Sequence, residues 1–139
     1  MSWIAYAIGS AFFAALVAIF GKVGISKVDT TLATTIRALI MAAFFVILAL
    51  ALDKQKLFGT IDRRALLFIA LSGLAGALSW LCYFIALKNG PTTAVAAIDR
   101  TSVAMVFVLA VVFLGEKFTF QTAIGALLVF VGAFLMILK

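Results

Sequence analysis

The chain has 139 residues, 67% of them hydrophobic and 12% charged, with a mean hydropathy of +1.32 and a formal net charge of +6. Soluble chains average roughly 45–50% apolar residues, and a chain this small has no interior large enough to hide the surplus, so a water-soluble domain is excluded. The basic residues sit at the ends of apolar runs, which suits loop anchors and contacts with anionic lipid and argues against a nucleic-acid partner.

Five apolar segments, each of about 20 residues, are long enough to cross a bilayer as helices. The first spans 3–20 and reads as a retained helix, since it lacks the basic start and small-residue cleavage site of a secretory signal. The second, 31–52, is apolar except for Arg37 near its start. The third, 65–87, carries no charge. The fourth, 92–114, opens after Pro91, a residue suited to a helix's first turn, and holds Asp99 and Arg100 side by side. The fifth, 120–138, has no charge after Gln121. Gly125 and Gly132 lie seven apart on one of its faces, with Ala126 and Ala133 beside them, the pattern of a close-packing or dimer seam. The links between segments are short, so the expectation is one compact domain over 1–139, an all-α membrane protein of five transmembrane helices.

An odd number of spans puts the termini on opposite sides. Lys54, Lys56, Arg63, Arg64 and Lys117 fall on the N-terminal side, and Lys22, Lys27, Lys88 and Lys139 on the other. Orientation normally follows a Lys/Arg excess in cytoplasmic loops, and five against four is almost none. Either the dense 53–64 loop decides and the N-terminus is cytoplasmic, or the chain inserts both ways and pairs with an inverted copy of itself.

Charges inside the spans are the strongest functional signal. An ionised side chain at the bilayer centre costs at least about 2.5–3.5 kcal/mol on insertion scales, so it must face protein or water. Arg37 lies roughly 9 Å into its helix and Asp99 roughly 12 Å into a parallel one, at 1.5 Å per residue. An Arg37–Asp99 pair is therefore sterically available. Adjacent helical residues do not face one another, which leaves Arg100 turned to a second target. Three polar stripes surround these charges: Thr30, Thr34, Arg37 and Met41; Thr92, Ala96, Asp99 and Ser102; and Ser72, Gly76, Ser79 and Tyr83. Arg37, Asp99 and Arg100 are the candidate substrate or coupling-ion site, with Thr34, Ser72, Ser79, Trp80, Tyr83, Thr92 and Ser102 as pathway lining. Small and hydroxylated residues also pack membrane helices together, so the stripes fit either role. Trp3 suits an interfacial belt; Trp80 and Tyr83 suit either a belt or the cavity.

One cysteine, Cys82, and no histidine exclude a disulfide framework, a structural zinc site and a histidine-based triad. Cys82 reads as a small packing residue. No nucleophile–base pair or metal-ligand set can be assembled, so neither an enzyme nor a cofactor is expected.

The run from Ala86 to Leu138, with its turn "LKNGPTTAVA", its "FLGEKFT" junction and its glycine-bearing last helix, resembles the end of an EamA-type repeat of the drug/metabolite transporter superfamily. The early arginine in "TTIRALIMAAFF" suits the same pattern, and the resemblance covers essentially the whole chain. It implies one half of an inverted-repeat transporter fold, completed by a second copy, with a central site between repeats. Many family members carry Ser-Pro where this chain has Ser102-Val103, which puts a proline-kinked gate in question. The glutamate of the four-helix multidrug branch is missing from "SAFFAALVAIF". The expectation is a multi-pass protein of the inner (plasma) membrane, a secondary transporter, and an exporter, of a small polar metabolite such as an amino acid or organic anion. It would work by alternating access in a homodimer, antiparallel if both orientations occur. A lipid-headgroup flippase and a non-transporting membrane scaffold are the alternatives.

Overall fold

A computed structural model describes residues 2–138. The described chain is helical: α1 (Ser2–Gly24), α2 (Thr30–Ala51), a 3-10 helix (Lys54–Thr60), α3 (Arg63–Asn89), α4 (Thr92–Asp99), α5 (Ser102–Phe113) and α6 (Phe120–Leu135). By length and composition, α1, α2, α3 and the α4–α5 pair taken together can each cross a membrane. At 16 residues α6 is about 24 Å long, short of a hydrocarbon core of about 30 Å.

Only nine hydrophobic side chains are buried among the described residues: Ala18, Ile25, Phe84, Leu87, Val95, Ala97, Ala110, Ala126 and Ala133. Phe44, Ile47, Phe68 and Leu109, like most large apolar residues here, stand more than half exposed. Water would penalise a surface of this kind heavily, and acyl chains solvate it.

The helix ends follow capping chemistry. Asp29 caps α2, its Oδ1 accepting from the Leu32 amide at 2.9 Å, and Thr119 caps α6 by accepting from the Thr122 amide. Gly115 stops α5 with a φ of +66°, a left-handed conformation that carries no steric cost without a Cβ, while the Glu116 amide reaches back to the Ala110 carbonyl.

The chain forms two compact units, Gly21–Lys88 and Met1–Phe20 with Asn89–Lys139. In the first, the last turn of α1 meets the C-terminal end of α3. A Cβ on Gly21 would lie 3.0 Å from the Phe84 ring, a contact so tight that the ring would have to give by a few tenths of an ångström. Lys22 donates to the Leu87 carbonyl, and Lys88 donates to the Val28 carbonyl at 2.8 Å. Ile25 and Leu87 are buried at this joint, which fixes one end of α3 to the α1–α2 turn.

In the second unit, α6 packs on both α4 and α5, and its buried contacts are Ala126 and Ala133. Gly125 and Gly132, one position away, have open space where a Cβ would be. The span expected over 92–114 is two helices, so the described residues form six α-helices where five were expected. The Arg100 amide donates to the Ala97 carbonyl, Thr101 to Ile98, Val103 to Arg100 and Ala104 to Thr101, all three residues back as in a 3-10 turn. The Thr101 hydroxyl also donates to the Ile98 carbonyl at 2.7 Å. A hydroxyl bonded back to its own helix is a known cause of bending. No proline or glycine lies within the break.

Candidate functional site

The first unit holds a cleft of about 520 Å³ between α2 and α3. From α2 it takes Thr31, Thr34, Thr35, Arg37, Ala38 and Met41, and from α3 Gly73, Gly76, Ala77, Trp80 and Leu81. Small side chains on α3 make the space, since nothing lies within 4 Å of a Cβ placed on Gly73 or Gly76.

Arg37 is the one charged residue of the lining. Its Cζ lies 3.5 Å above the Trp80 ring and 5.4 Å from the Phe84 ring. A guanidinium over an indole gains up to about 2 kcal/mol or more when water is excluded, and keeps its edge N–H groups available. Trp80 is held by its neighbours: Tyr83 meets it edge-on at 5.7 Å, and Phe84 lies 5.9 Å away. Phe84 is 3% exposed and rests against Gly21, so a series of contacts runs from the α1 terminus to the guanidinium. The Thr34 and Thr35 hydroxyls donate to the Thr30 and Thr31 carbonyls at 2.8 and 2.9 Å, leaving their oxygens as acceptors. Within this unit, no described carboxylate forms an ion pair with Arg37.

Of the residues singled out from sequence, the cleft brings together Arg37, Thr34 and Trp80, with Met41 and Gly76 of the same stripes. Ser72 and Ser79 are exposed and lie roughly a quarter turn of α3 away from the lining face. Tyr83 supports Trp80 from behind. Cys82 is exposed. Thr31, Thr35, Ala38, Gly73, Ala77 and Leu81 were not anticipated; the Gly73–Gly76–Ala77 spacing is the sequence signal that marks this face.

Asp99, Arg100, Thr92 and Ser102 belong to the other unit. Thr92 and Asp99 are half-buried on α4, whereas Arg100 and Ser102 are exposed at and beyond the break. A 3-10 turn advances about 120° per residue against 100° for an α-helix, which swings Ser102 off the stripe it would share in a straight helix. Neither Asp99 nor Arg100 makes an ion pair within its unit among the described residues. Those residues also contain no cluster of three or more His, Cys, Asp or Glu that could hold a metal ion.

A mostly apolar cleft holding one cation in a lipid-facing helical chain suits a translocation protein, and comparison with known proteins decides the family. The EamA-like transporter family matches residues 1–138. The chain belongs to the EamA-like transporter family. It is also 40% identical over 135 residues to an uncharacterized transporter in the cobO 3′ region of a Sinorhizobium species, covering 97% of this chain and 96% of that relative. No solved structure matches it. Family and relative point this EamA-like chain to transport rather than enzymatic chemistry, and its apolar helices make it a multi-pass membrane protein.

Proposed function

We propose that the protein is a secondary transporter that exports a small carboxylate-bearing metabolite, an amino acid or an organic anion, across the inner (plasma) membrane. The observation that supports this reading best is the Arg37 guanidinium, stacked on Trp80 in a cleft with no acidic side chain in its lining. A guanidinium offers paired N–H donors that match a carboxylate, and an apolar site strengthens the interaction. Arg100, in the other unit, carries a separate positive charge at the break between α4 and α5. Asp99, the one carboxylate within the apolar spans, is the site of a coupling proton. The working unit in this reading is five membrane-crossing helices, with α4–α5 counted as one span and α6 as the fifth, paired with an inverted copy and alternating in access.

Purified protein in liposomes tests the reading. Counterflow of labelled amino acids and organic acids is expected for the native chain, and its abolition by Arg37→Ala and by Asp99→Asn. Normal flux in both variants would overturn the assigned roles. Reporter fusions at each terminus are expected to show both orientations in equal amounts; a single orientation would remove the antiparallel pair.

The apolar walls of the cleft favour one second reading, a flippase in which Arg37 grips a lipid phosphate. Headgroup translocation in vesicles without solute flux would select it. A scaffold predicts that changes at Arg100 alter assembly and never flux.

A further inference from the structure

We infer that the cleft selects a monoanion with an apolar body, and discriminates against both zwitterions and dianions. This rests on the transport reading above and narrows its substrate class.

The inference starts from a count of what the lining can offer. Arg37 is its only charge, and none of the other residues is ionisable as an acid. One face of the guanidinium is occupied by Trp80 at 3.5 Å, so its in-plane N–H groups are what a ligand meets. These donors suit one carboxylate. A second carboxylate on the same ligand would leave water with no cation to meet it.

An ammonium group fares no better. The hydroxyl protons of Thr34 and Thr35 are committed to helix carbonyls, so these side chains present neutral oxygens alone. Neutral oxygens return only part of the hydration that an ammonium loses on entering an apolar site, and the Arg37 charge repels it. An amino acid therefore gains at its carboxylate and loses at its amine.

Beyond these, the polar side-chain atoms of the lining are the Thr31 hydroxyl and the Trp80 indole N–H, both uncharged, and the rest of the walls are apolar. Gly76 and Ala77 line it from α3 and Met41 from α2, and 520 Å³ exceeds what a bare anion fills. Such a volume falls in the ordinary range for organic ligands buried largely by apolar contact. The chemistry that fits is a compact hydrocarbon bearing one anionic group, carried either by a soluble organic acid or by a lipid headgroup.

Four six-carbon probes isolate the charge pattern: hexanoate, norleucine, adipate and hexanamide. The chain has two tryptophans, so Trp3→Phe leaves Trp80 as the sole indole reporter, and Trp3 is 73% exposed and outside the cleft. In phosphatidylcholine nanodiscs, corrected against protein-free discs, hexanoate is expected to perturb Trp80 emission with at least tenfold higher affinity than the other three. Arg37→Gln should reduce hexanoate to the level of hexanamide. Should that variant not fold, Arg37→Lys keeps the charge without the fork, and is expected to preserve the order of the four probes with weaker binding.

Norleucine or adipate binding as tightly as hexanoate would overturn the inference, as would hexanoate binding that survives Arg37→Gln. Repeating the titration with phosphatidylglycerol in the discs separates the sources: competition assigns the monoanion to a lipid headgroup, and its absence to a soluble acid. Saturable, Arg37-dependent norleucine flux without hexanoate flux would sink this selectivity and leave the transport reading intact. No flux of any carboxylate would sink the transport reading itself.

Discussion

The two compact units put charge to opposite structural uses. In Gly21–Lys88 an arginine is built into the fold: its guanidinium lies on Trp80, which leans on Phe84, which fills the space left by Gly21. In the unit containing α4–α6, Asp99 and Arg100 stand where the helix itself is interrupted, and the buried packing is done by Val95 and alanines. The first unit holds its charge by contacts with side chains distant in sequence. The second carries its charges at a break in the helix, with Asp99 half-buried and Arg100 exposed. The lesson is that an intramembrane charge can be accommodated either by a partner ring or by a local change in helix type, and the two respond differently to mutation.

The largest expected effect lies in the first unit. Arg37→Ala removes the sole cation of the cleft, and loss of a charge-assisted bond of about 1.5–3 kcal/mol corresponds to a roughly 10- to 150-fold fall in anion affinity, read by substrate-dependent thermal shift. Equal affinity in the variant would show that the guanidinium serves packing alone.

Gly21→Ala comes next. Its Cβ would press on the Phe84 ring at 3.0 Å, and overpacking of this kind costs about 1–3 kcal/mol, seen as a lowered unfolding midpoint in detergent. Gly125→Ala in the other unit meets open space and is expected to be neutral or stabilising by up to about 1 kcal/mol through helix propensity. If both glycines tolerate alanine alike, the contrast between the units fails.

Trp80→Ala should cost anion affinity by roughly 3- to 30-fold, the worth of a cation–π contact of about 0.5–2 kcal/mol, and Trp80→Phe should recover part of it. Thr101→Val has the smallest expected effect, about 0.5–1 kcal/mol from the lost bond to the Ile98 carbonyl. Amide exchange between residues 100 and 105 is the measurement; unchanged protection there would mean that the hydroxyl does not hold the break.

Much of this was legible in the sequence because lipid imposes simple rules. The three long helices followed from uninterrupted apolar runs, with ends displaced by a few residues where Asp29 and the Lys22 and Lys88 contacts extend or cap them. Arg37 was legible from the expense of placing it there. The break in α4–α5 was not. Thr34 and Thr35 bond back to carbonyls four residues away and leave α2 unbroken, whereas Thr101 bonds back three. Composition does not distinguish these cases; backbone geometry does. The lining of α3 was only half legible, because Gly76 lies on both the Ser72–Ser79 stripe and the Gly73–Ala77 face, and sequence periodicity alone did not choose between them.

Proline would have made the interruption at Arg100–Thr101 permanent, since its ring removes an amide proton and blocks the preceding carbonyl. Here every amide from Arg100 to Met105 still carries its proton, so the segment can rewind. Each residue passing from 3-10 to α geometry shortens the rod by about 0.5 Å and unwinds it by roughly 20°. Three residues, Thr101, Val103 and Ala104, would draw α5 about 1.5 Å along its axis and swivel its faces by roughly 60°, a screw motion available without breaking any covalent constraint.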